Sequence, residues 1–154
     1  MNSSLRTASI VVPLFNERAS IVDLWSQTVA AIDEKVRSWE VIVVDDGSTD
    51  GSDCVLEGLV AQNLECVTAI RLRGNFGKAA AMGAGNARAT GDVLITMDAD
   101  LRDNPGEIAR FLQAIDSGFD AVCGYKRERR DPWRRVAASR GTGSMEDGDG
   151  GAAS

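Results

Sequence analysis

The chain contains no histidine and only three cysteines among its 154 residues. Without an imidazole, His-based catalytic triads, His-ligated zinc sites and histidine acid–base chemistry are excluded. Cys54, Cys66 and Cys123 form no close pair, which favours reduced, buried thiols over a disulfide framework or a zinc site. A long apolar run is also lacking, because Ala8–Phe15 is interrupted by Pro13 and is much shorter than the ~20 residues that span a bilayer. Neither a membrane anchor nor a signal peptide is predicted, and a cytoplasmic location is expected.

Basic side chains are outnumbered, with 17 Lys and Arg against 23 Asp and Glu, and the net charge of -6 argues against a nucleic-acid partner. An apolar fraction of 44% is typical of one soluble globular domain. Residues 126–140 reverse the overall sign with seven basic side chains. Residues 141–154 are rich in glycine and acid and predict a disordered tail, which leaves a domain over residues 1–140.

Short β-branched runs alternate with longer segments of helical period. The predicted strands are Ser9–Pro13, Glu40–Asp45, Val67–Arg71, Val93–Met97 and Ala121–Gly124. The predicted helices are an amphipathic stripe from Ile21 to Val36, Asp53–Gln62, Lys78–Ala89 and Pro105–Asp116. Strands that are apolar on both faces are typical of a buried parallel sheet. The alternation predicts a layered α/β fold with helices on both faces and ligands at the carboxyl ends of the strands.

An acidic cluster, residues 45–52, directly follows the second predicted strand and allows three interpretations. Asp46, Ser48, Asp50, Gly51 and Glu57 have the spacing of a calcium-binding loop, but a β-branched segment enters it instead of a helix. A capping turn is the second interpretation. The third is a carboxylate site for ribose or base hydroxyls at the end of a strand, and the position in the alternation favours it.

A second acidic pair, Asp98 and Asp100, follows the fourth predicted strand. In an extended segment, side chains two residues apart point the same way, so the two carboxylates should converge. Mg²⁺ or Mn²⁺ would relieve their repulsion by binding one or two carboxylates together with substrate phosphates. The alternative is a solvated turn in which Asp103 caps the following helix.

A glycine-containing loop, residues 71–78, joins the third predicted strand to a helix and ends in Lys78. Leu72 stands where a nucleoside-triphosphatase loop needs glycine, and Ala79 replaces the Ser or Thr after the lysine. Gly83 and Gly85 do not form a dinucleotide fingerprint, because Arg88 occupies the third glycine position. A small-residue helix that packs tightly on the sheet is the simpler interpretation.

The order of four motifs resembles that of the inverting family-2 glycosyltransferases. The motifs are Val11–Glu17, Val41–Asp50, Arg73–Lys78 and Thr96–Leu101, and the resemblance extends from about Ser9 to Arg140. The chain is most similar to the polyprenyl-phosphate branch, which includes dolichyl-phosphate mannose synthase-like enzymes. The resemblance implies a GT-A fold, a Rossmann-like and mostly parallel sheet, and sugar transfer from a UDP- or GDP-sugar with Mg²⁺ or Mn²⁺.

The resemblance also implies roles for individual residues. The nucleotide-binding positions are Pro13, Phe15, Glu17, Asp46 and Asp98. Asp98 and Asp100 match the metal-binding pair, and Asp100 is the expected direct ligand and a catalytic residue. Lys78 is an additional candidate for a diphosphate contact, since it opens a helix whose positive end attracts anions.

A lipid-phosphate acceptor implies a cationic contact, for which Lys126, Arg127 and Arg140 are the candidates, with Arg140 as a second catalytic residue. A solvated basic surface or linker is the alternative for this segment, and attraction to an anionic membrane or RNA binding would have the same features. Peripheral contact with the cytoplasmic membrane face is then expected. Arg102 departs from the branch, which often has a metal-assisting glutamine there. After Arg140 the family pattern stops, so we expect the acceptor half to be missing. An inactive nucleotide-binding or partner-binding remnant and a calcium-binding protein remain the alternatives.

Overall fold

The computed structural model describes residues 6–32 and 36–124. The strands are β1 Thr7–Leu14, β2 Ser38–Asp45, β3 Val67–Arg71 and β4 Val93–Thr96. The helices are α1 Ile21–Ile32, α2 Ser52–Gln62, α3 Lys78–Arg88 and α4 Ile108–Asp116, and a 3-10 turn at Pro105–Glu107 precedes α4. These elements belong to one compact unit, Met1–Val122. A second unit begins at Cys123, and only Cys123 and Gly124 of it are described.

The four strands form one parallel sheet in the order β3-β2-β1-β4. In the register, Ile10 of β1 lies opposite Val41 of β2 and Ile95 of β4. From β1 the chain winds outward to β2 and β3 and then crosses back to place β4 on the other side of β1. The switch point of this doubly wound order therefore lies between the carboxyl ends of β1 and β4, where such sheets bind ligands.

Helices cover both faces of the sheet, as the alternation predicts. On one face, side chains of α1, α2 and α4 pack against alternate residues of β1 and β2, including Ile10, Val12 and Val43. On the other face, Ala81 of α3 packs against Val11 and its neighbours on β2. Hydrophobic burial on both faces explains why these strands carry near-continuous apolar sequence.

Gly85 lets α3 approach the sheet closely. A Cβ at this position would lie 2.3 Å from Val11 Cγ1 and 3.1 Å from Val44 Cγ2. Nothing lies within 4 Å of a Cβ at Gly83 on the same helix. The small-residue helix predicted from the sequence therefore packs tightly through one glycine and not through both.

A polar network connects β1, β2 and the turn before β4 near the amino-terminal ends of the strands. Glu40 Oε1 accepts hydrogen bonds from Ser9 Oγ at 2.6 Å and from Thr90 N and Oγ1, each at 2.8 Å. Ser9 Oγ in turn accepts from the amide of Gly91 at 2.7 Å. Burial raises the pKa of Glu40, but these hydrogen bonds and Arg88 outweigh it and hold the pKa below 4.5. The network therefore favours the ionised carboxylate.

Two predictions from the sequence are wrong. Ala121–Gly124 is not a strand, and the described part of the chain contains four strands. A strand needs a hydrogen-bonded neighbour, and no described segment pairs with these four residues. The thiols are not uniformly buried either, because Cys54 and Cys123 are exposed and Cys66 is half-buried. Burial, with a smaller contribution from Glu65, raises the pKa of the Cys66 thiol.

No helix among the described residues is long and apolar enough to cross a membrane. The predicted tail, residues 141–154, and the basic segment, residues 126–140, lie outside the described residues. The division of the chain at residue 140 therefore stays a prediction.

Candidate active site at the carboxyl ends of the strands

The loops after β1 and β2 are joined by hydrogen bonds between backbone and side chains. Asp45 Oδ1 accepts from the amide of Ser48 at 2.8 Å, which closes the turn after β2. The amide of Asn16 donates to Ser48 Oγ at 2.9 Å, and Asn16 Oδ1 accepts from the amide of Thr49 at 2.8 Å. Asn16 has a φ of 54°, a conformation that asparagine adopts more readily than most residues. These bonds fix the end of β1 against the end of β2.

Asp46 connects this turn to the glycine-containing loop. Its side chain is buried, and its two oxygens accept from the amides of Phe76 and Gly77, each at 2.8 Å. Gly47, with a φ of 75°, makes the approach possible, since a Cβ there would lie 2.6 Å from the carbonyl carbon of Gly74. Asp46 therefore positions the loop that leads into Lys78.

The remaining acids of the first cluster serve the turn and the helix start. Asp50 accepts from Ser52 Oγ at 2.5 Å and from the amides of Ser52 and Arg18, each at 3.0 Å. The Ser52 hydroxyl is the main cause of the lowered pKa of Asp50, and the two amides add to it. Arg71 lies beside Asp45 and Asp53, with Nε 3.8 Å from the buried Asp45 Oδ2 and Nη1 2.8 Å from Asp53 Oδ2.

The calcium-loop interpretation is wrong for this cluster. A strand, β2, enters the loop, the carboxylate of Asp46 faces the loop at residues 76–77, and that of Asp50 accepts from the amide of Ser52, the first residue of α2. Within residues 6–32 and 36–124, no group of three or more His, Cys, Asp or Glu side chains is placed to hold a metal ion. Asp45 and Asp50 serve the turn and the start of α2, whereas Asp46 lines a cavity, so the site for ribose or base hydroxyls stays a prediction.

A cavity of about 190 Å³ opens at the switch point between β1 and β4. The seven residues that the sequence predicted for nucleotide and metal all line it: Pro13, Phe15, Glu17, Asp46, Lys78, Asp98 and Asp100. Leu14, Ala81 and Ala99 complete the wall. These residues come from the ends of β1, β2 and β4 and from the start of α3, so distant segments of the chain meet at one place.

The segment with the second acidic pair turns where an extended conformation was predicted. β4 ends at Thr96, and residues 99–100 form a turn followed by Leu101 at a φ of 58°. Ala99 is buried, and its carbonyl accepts from Ser20 Oγ at 2.7 Å. The prediction of a common direction from strand geometry is therefore wrong, although both carboxylates reach the same cavity through the turn.

Each of these two carboxylates is paired with a cation from the chain itself. Lys78 Nζ forms an ion pair with Asp98 Oδ1. Arg102 Nε lies 3.2 Å from Asp100 Oδ2, and the Arg102 amide donates to Asp100 Oδ1 at 3.0 Å. The sequence singled out Arg102 as a departure from the family pattern, but its pairing with Asp100 depends on the turn and was not predicted.

The carboxylates of Asp98 and Asp100 fit a hard divalent cation only if phosphate and water oxygens complete its coordination. Two carboxylates, with no third His, Cys, Asp or Glu among the described residues placed to join them, match Mg²⁺ or Mn²⁺, which bind one or two carboxylates and take further oxygens from phosphate and water. Asp98 and Asp100 are the residues that could hold such an ion. The side chains of Lys126, Arg127 and Arg140 lie outside the described residues.

Comparison with known sequences places the chain among sugar transferases. The family model described as Glycosyl transferase family 2 matches residues 9–146. An undecaprenyl-phosphate 4-deoxy-4-formamido-L-arabinose transferase from Aeromonas hydrophila is 40% identical over 139 residues, which cover 90% of this chain and 43% of that protein. A protein of the same name from Serratia proteamaculans is 38% identical, over 88% of this chain and 42% of its own. The chain thus spans less than half the length of these relatives.

Solved structures give the same fold. A mannosyltransferase from Pyrobaculum calidifontis, in complex with GDP-Man and Mn²⁺, aligns with a TM-score of 0.57 and 26% identity over 64% of this chain and 28% of that one. TarS from S. aureus, residues 1–349, aligns with a TM-score of 0.59 and 27% identity over 72% of this chain and 32% of that one. The same TarS segment in complex with UDP-GlcNAc aligns with a TM-score of 0.51 and 28% identity over 61% of this chain and 26% of that one. The described sheet and helices are therefore of the GT-A type.

Proposed function

The chain belongs to glycosyl transferase family 2, and we propose that it binds a nucleotide-diphospho-sugar in the switch-point cavity and acts in sugar transfer to a polyprenyl-phosphate-type lipid. The observation that carries the proposal is the meeting of seven predicted donor-site residues around one cavity. Related structures contain GDP-Man with Mn²⁺ and UDP-GlcNAc, which supports a nucleotide-sugar donor. The acceptor class rests on the names of the relatives.

Recognition of the nucleoside would come from the ends of β1 and β2. Phe15 is 43% exposed beside the cavity and offers an aromatic surface to a base, while Glu17 offers acceptors to ribose hydroxyls. Asp46 would act here chiefly by positioning the loop, because its side chain is buried and each of its oxygens already accepts a backbone amide. We therefore propose Phe15, Glu17 and Pro13 as the direct nucleoside contacts.

Stabilisation of the leaving diphosphate would come from Lys78 and from Asp98 and Asp100 through a divalent cation. Lys78 is the first residue of α3, so its ammonium and the positive end of the helix dipole would attract the same anion. A bound Mg²⁺ or Mn²⁺ would supply positive charge where negative charge grows as the sugar leaves. A lipid phosphate is already an anion and needs no strong base, which agrees with the absence of histidine.

Acceptor binding is assigned to Lys126, Arg127 and Arg140, whose cationic side chains suit a phosphate. We retain Asp100 and Arg140 as the catalytic residues of the proposal. A membrane-embedded acceptor would bring the protein to the cytoplasmic membrane face as a peripheral partner.

Calorimetry on the full chain with UDP and with GDP, each with Mn²⁺ and with EDTA, tests donor binding. We expect binding of one nucleotide that requires the cation, and a loss of about tenfold or more for Asp98→Asn, since even indirect changes at metal sites cost about 10- to 100-fold. Glu107→Gln is the control, because Glu107 forms an exposed ion pair with Arg110 outside the residues that line the cavity. Absence of cation-dependent binding, or equal affinities for the two variants, would contradict the proposal.

A transfer assay with radiolabelled UDP- and GDP-sugars and undecaprenyl phosphate tests the second half of the proposal. Product formation that falls in Arg140→Gln is the expected result. Nucleotide binding without transfer would instead indicate a nucleotide-binding or partner-binding domain that does not complete the reaction by itself.

A further inference from the structure

Arg102 occupies the carboxylate that a divalent cation would need. Its guanidinium Nε lies 3.2 Å from Asp100 Oδ2, and its backbone amide donates to Asp100 Oδ1 at 3.0 Å. One residue thus contacts both oxygens of Asp100. We propose that Arg102 is an internal counter-ion that holds Asp100 until a diphosphate arrives, so that the cation and the diphosphate bind cooperatively. This inference rests on the proposed donor site and deepens it.

The backbone is shaped for this contact. Leu101, between the two partners, has a φ of 58°, an uncommon conformation for a residue with a branched side chain. Leu101 is half-buried against the hydrophobic core, which holds the turn in place. The turn brings the Arg102 amide to the carboxylate two residues earlier, so the pairing does not depend on the long side chain alone.

The ion pairs in the cavity imply that the contact between Arg102 and Asp100 affects cation binding. Asp98 is paired with Lys78 and Asp100 with Arg102, so each acid of the pair is already balanced by a cation of the chain. A divalent cation on its own must displace Arg102 and remain close to two positive side chains, which weakens its binding. The oxygens of a diphosphate can bind both the metal ion and the guanidinium that leaves Asp100. Arginine suits this role because two of its N–H groups can donate to two phosphate oxygens at once.

The Arg102 side chain is 72% exposed, so it can leave Asp100 without disturbing the core. The Asp100 side chain is 27% exposed and lines the cavity, so an ion that enters the cavity can reach it. Arg102 is therefore a positioning residue for the proposed reaction, and its effect should appear in cation binding even when no sugar is transferred.

The test is titration of the full chain with Mn²⁺ by electron paramagnetic resonance, without nucleotide and with UDP or GDP. Arg102→Met, which adds no oxygen ligand, should bind Mn²⁺ alone about 10- to 30-fold more tightly than the unmodified chain, the change expected when one unit charge is removed about 4–6 Å from a divalent ion in water. The nucleotide should tighten Mn²⁺ binding less in this variant, since the coupling between two ligands is reciprocal. Arg102→Lys keeps the charge and should restore most of the original behaviour.

Arg110→Met is the matched control, because Arg110 Nη1 forms an exposed ion pair with Glu107 at 2.7 Å and does not line the cavity. Its Mn²⁺ affinity should equal that of the unmodified chain. If Arg102→Met binds Mn²⁺ no more tightly while a nucleoside diphosphate still binds with Mn²⁺, the inference is overturned and the proposed function stands. If neither the unmodified chain nor any variant binds Mn²⁺ with or without nucleotide, both are overturned.

Discussion

The two hydrogen bonds at Asp46 make a quantitative prediction about the loop that carries Lys78. Both carboxylate oxygens accept backbone amides, those of Phe76 and Gly77, at 2.8 Å. In Asp46→Asn one oxygen remains as an acceptor, while the new amide group faces the second N–H as a donor against a donor. The variant therefore loses at least one hydrogen bond to a charged group, and such bonds contribute about 1.5–3 kcal/mol.

Hydrogen exchange measured by NMR is the direct assay, because it reports each amide separately. The ring of Phe76 is 67% exposed, so burial gives its amide little protection beyond the bond to Asp46. A loss of about 1.5–3 kcal/mol corresponds to exchange about 10- to 100-fold faster at residues 76 and 77. The free energy of unfolding, from urea denaturation, should fall by a similar amount if loop and sheet unfold together.

Asp120→Asn is the control, since it makes the same chemical change at an exposed carboxylate. It should leave exchange at residues 76 and 77 unchanged. If Asp46→Asn also leaves these two amides unchanged, Asp46 does not hold the loop, and the positioning role assigned to it is wrong.

Three further predictions follow from packing, charge and exposure. The pKa of Glu40 is lowered in the fold, so its stabilising contribution is present above pH about 4.5 and is lost as the pH falls through the lower folded value; Glu40→Gln should therefore flatten the loss of urea stability between pH 5 and pH 3. Gly85→Ala should destabilise the fold by about 1–3 kcal/mol through overpacking, whereas Gly83→Ala, on the same helix with open space, should be neutral or stabilising by up to about 1 kcal/mol; urea denaturation measures both. A disulfide reagent at pH 8 should label Cys54 before Cys66, because burial raises the pKa of the Cys66 thiol and lowers its thiolate fraction; mass spectrometry of peptides gives the order, and equal rates would contradict it.

The sheet was predictable because all four strands have a strong apolar pattern, although only the central strands β1 and β2 are largely buried and the edge strands β3 and β4 have exposed residues. The four observed strands match their predictions to within about two residues at either end. Ala121–Gly124 has a similar pattern but no hydrogen-bonded neighbour in the described part of the chain. An apolar pattern indicates that a segment tends to be buried. A strand also requires a hydrogen-bonded neighbouring strand, which the local sequence does not specify.

The site was predictable as a set of residues and not as a set of contacts. The acids that follow β2 and β4 were assigned to a ligand site because parallel sheets bind ligands at the carboxyl ends of their strands. The partners of Asp46, however, are backbone amides 30 and 31 residues away, and an amide leaves no mark on the sequence. Gly47 is the sequence feature that could have indicated this contact between the two loops, since the close approach of Gly74 leaves no room for a side chain at residue 47.

The reversal of winding at β1 explains why acids that are 52 residues apart, Asp46 and Asp98, share one cavity. In the strand order β3-β2-β1-β4, β2 and β4 lie on either side of β1, so the loops that follow these strands surround one crevice at the carboxyl end of β1. The carboxylates that line this crevice lose part of their hydration, and each of the pair Asp98 and Asp100 has acquired a cation of the chain. The charges of Asp98 and Asp100 are therefore already balanced before any ligand enters. Under the proposed function, a nucleoside diphosphate with a divalent cation would replace both ion pairs with equivalent ones, whereas an isolated anion or cation would replace them only in part.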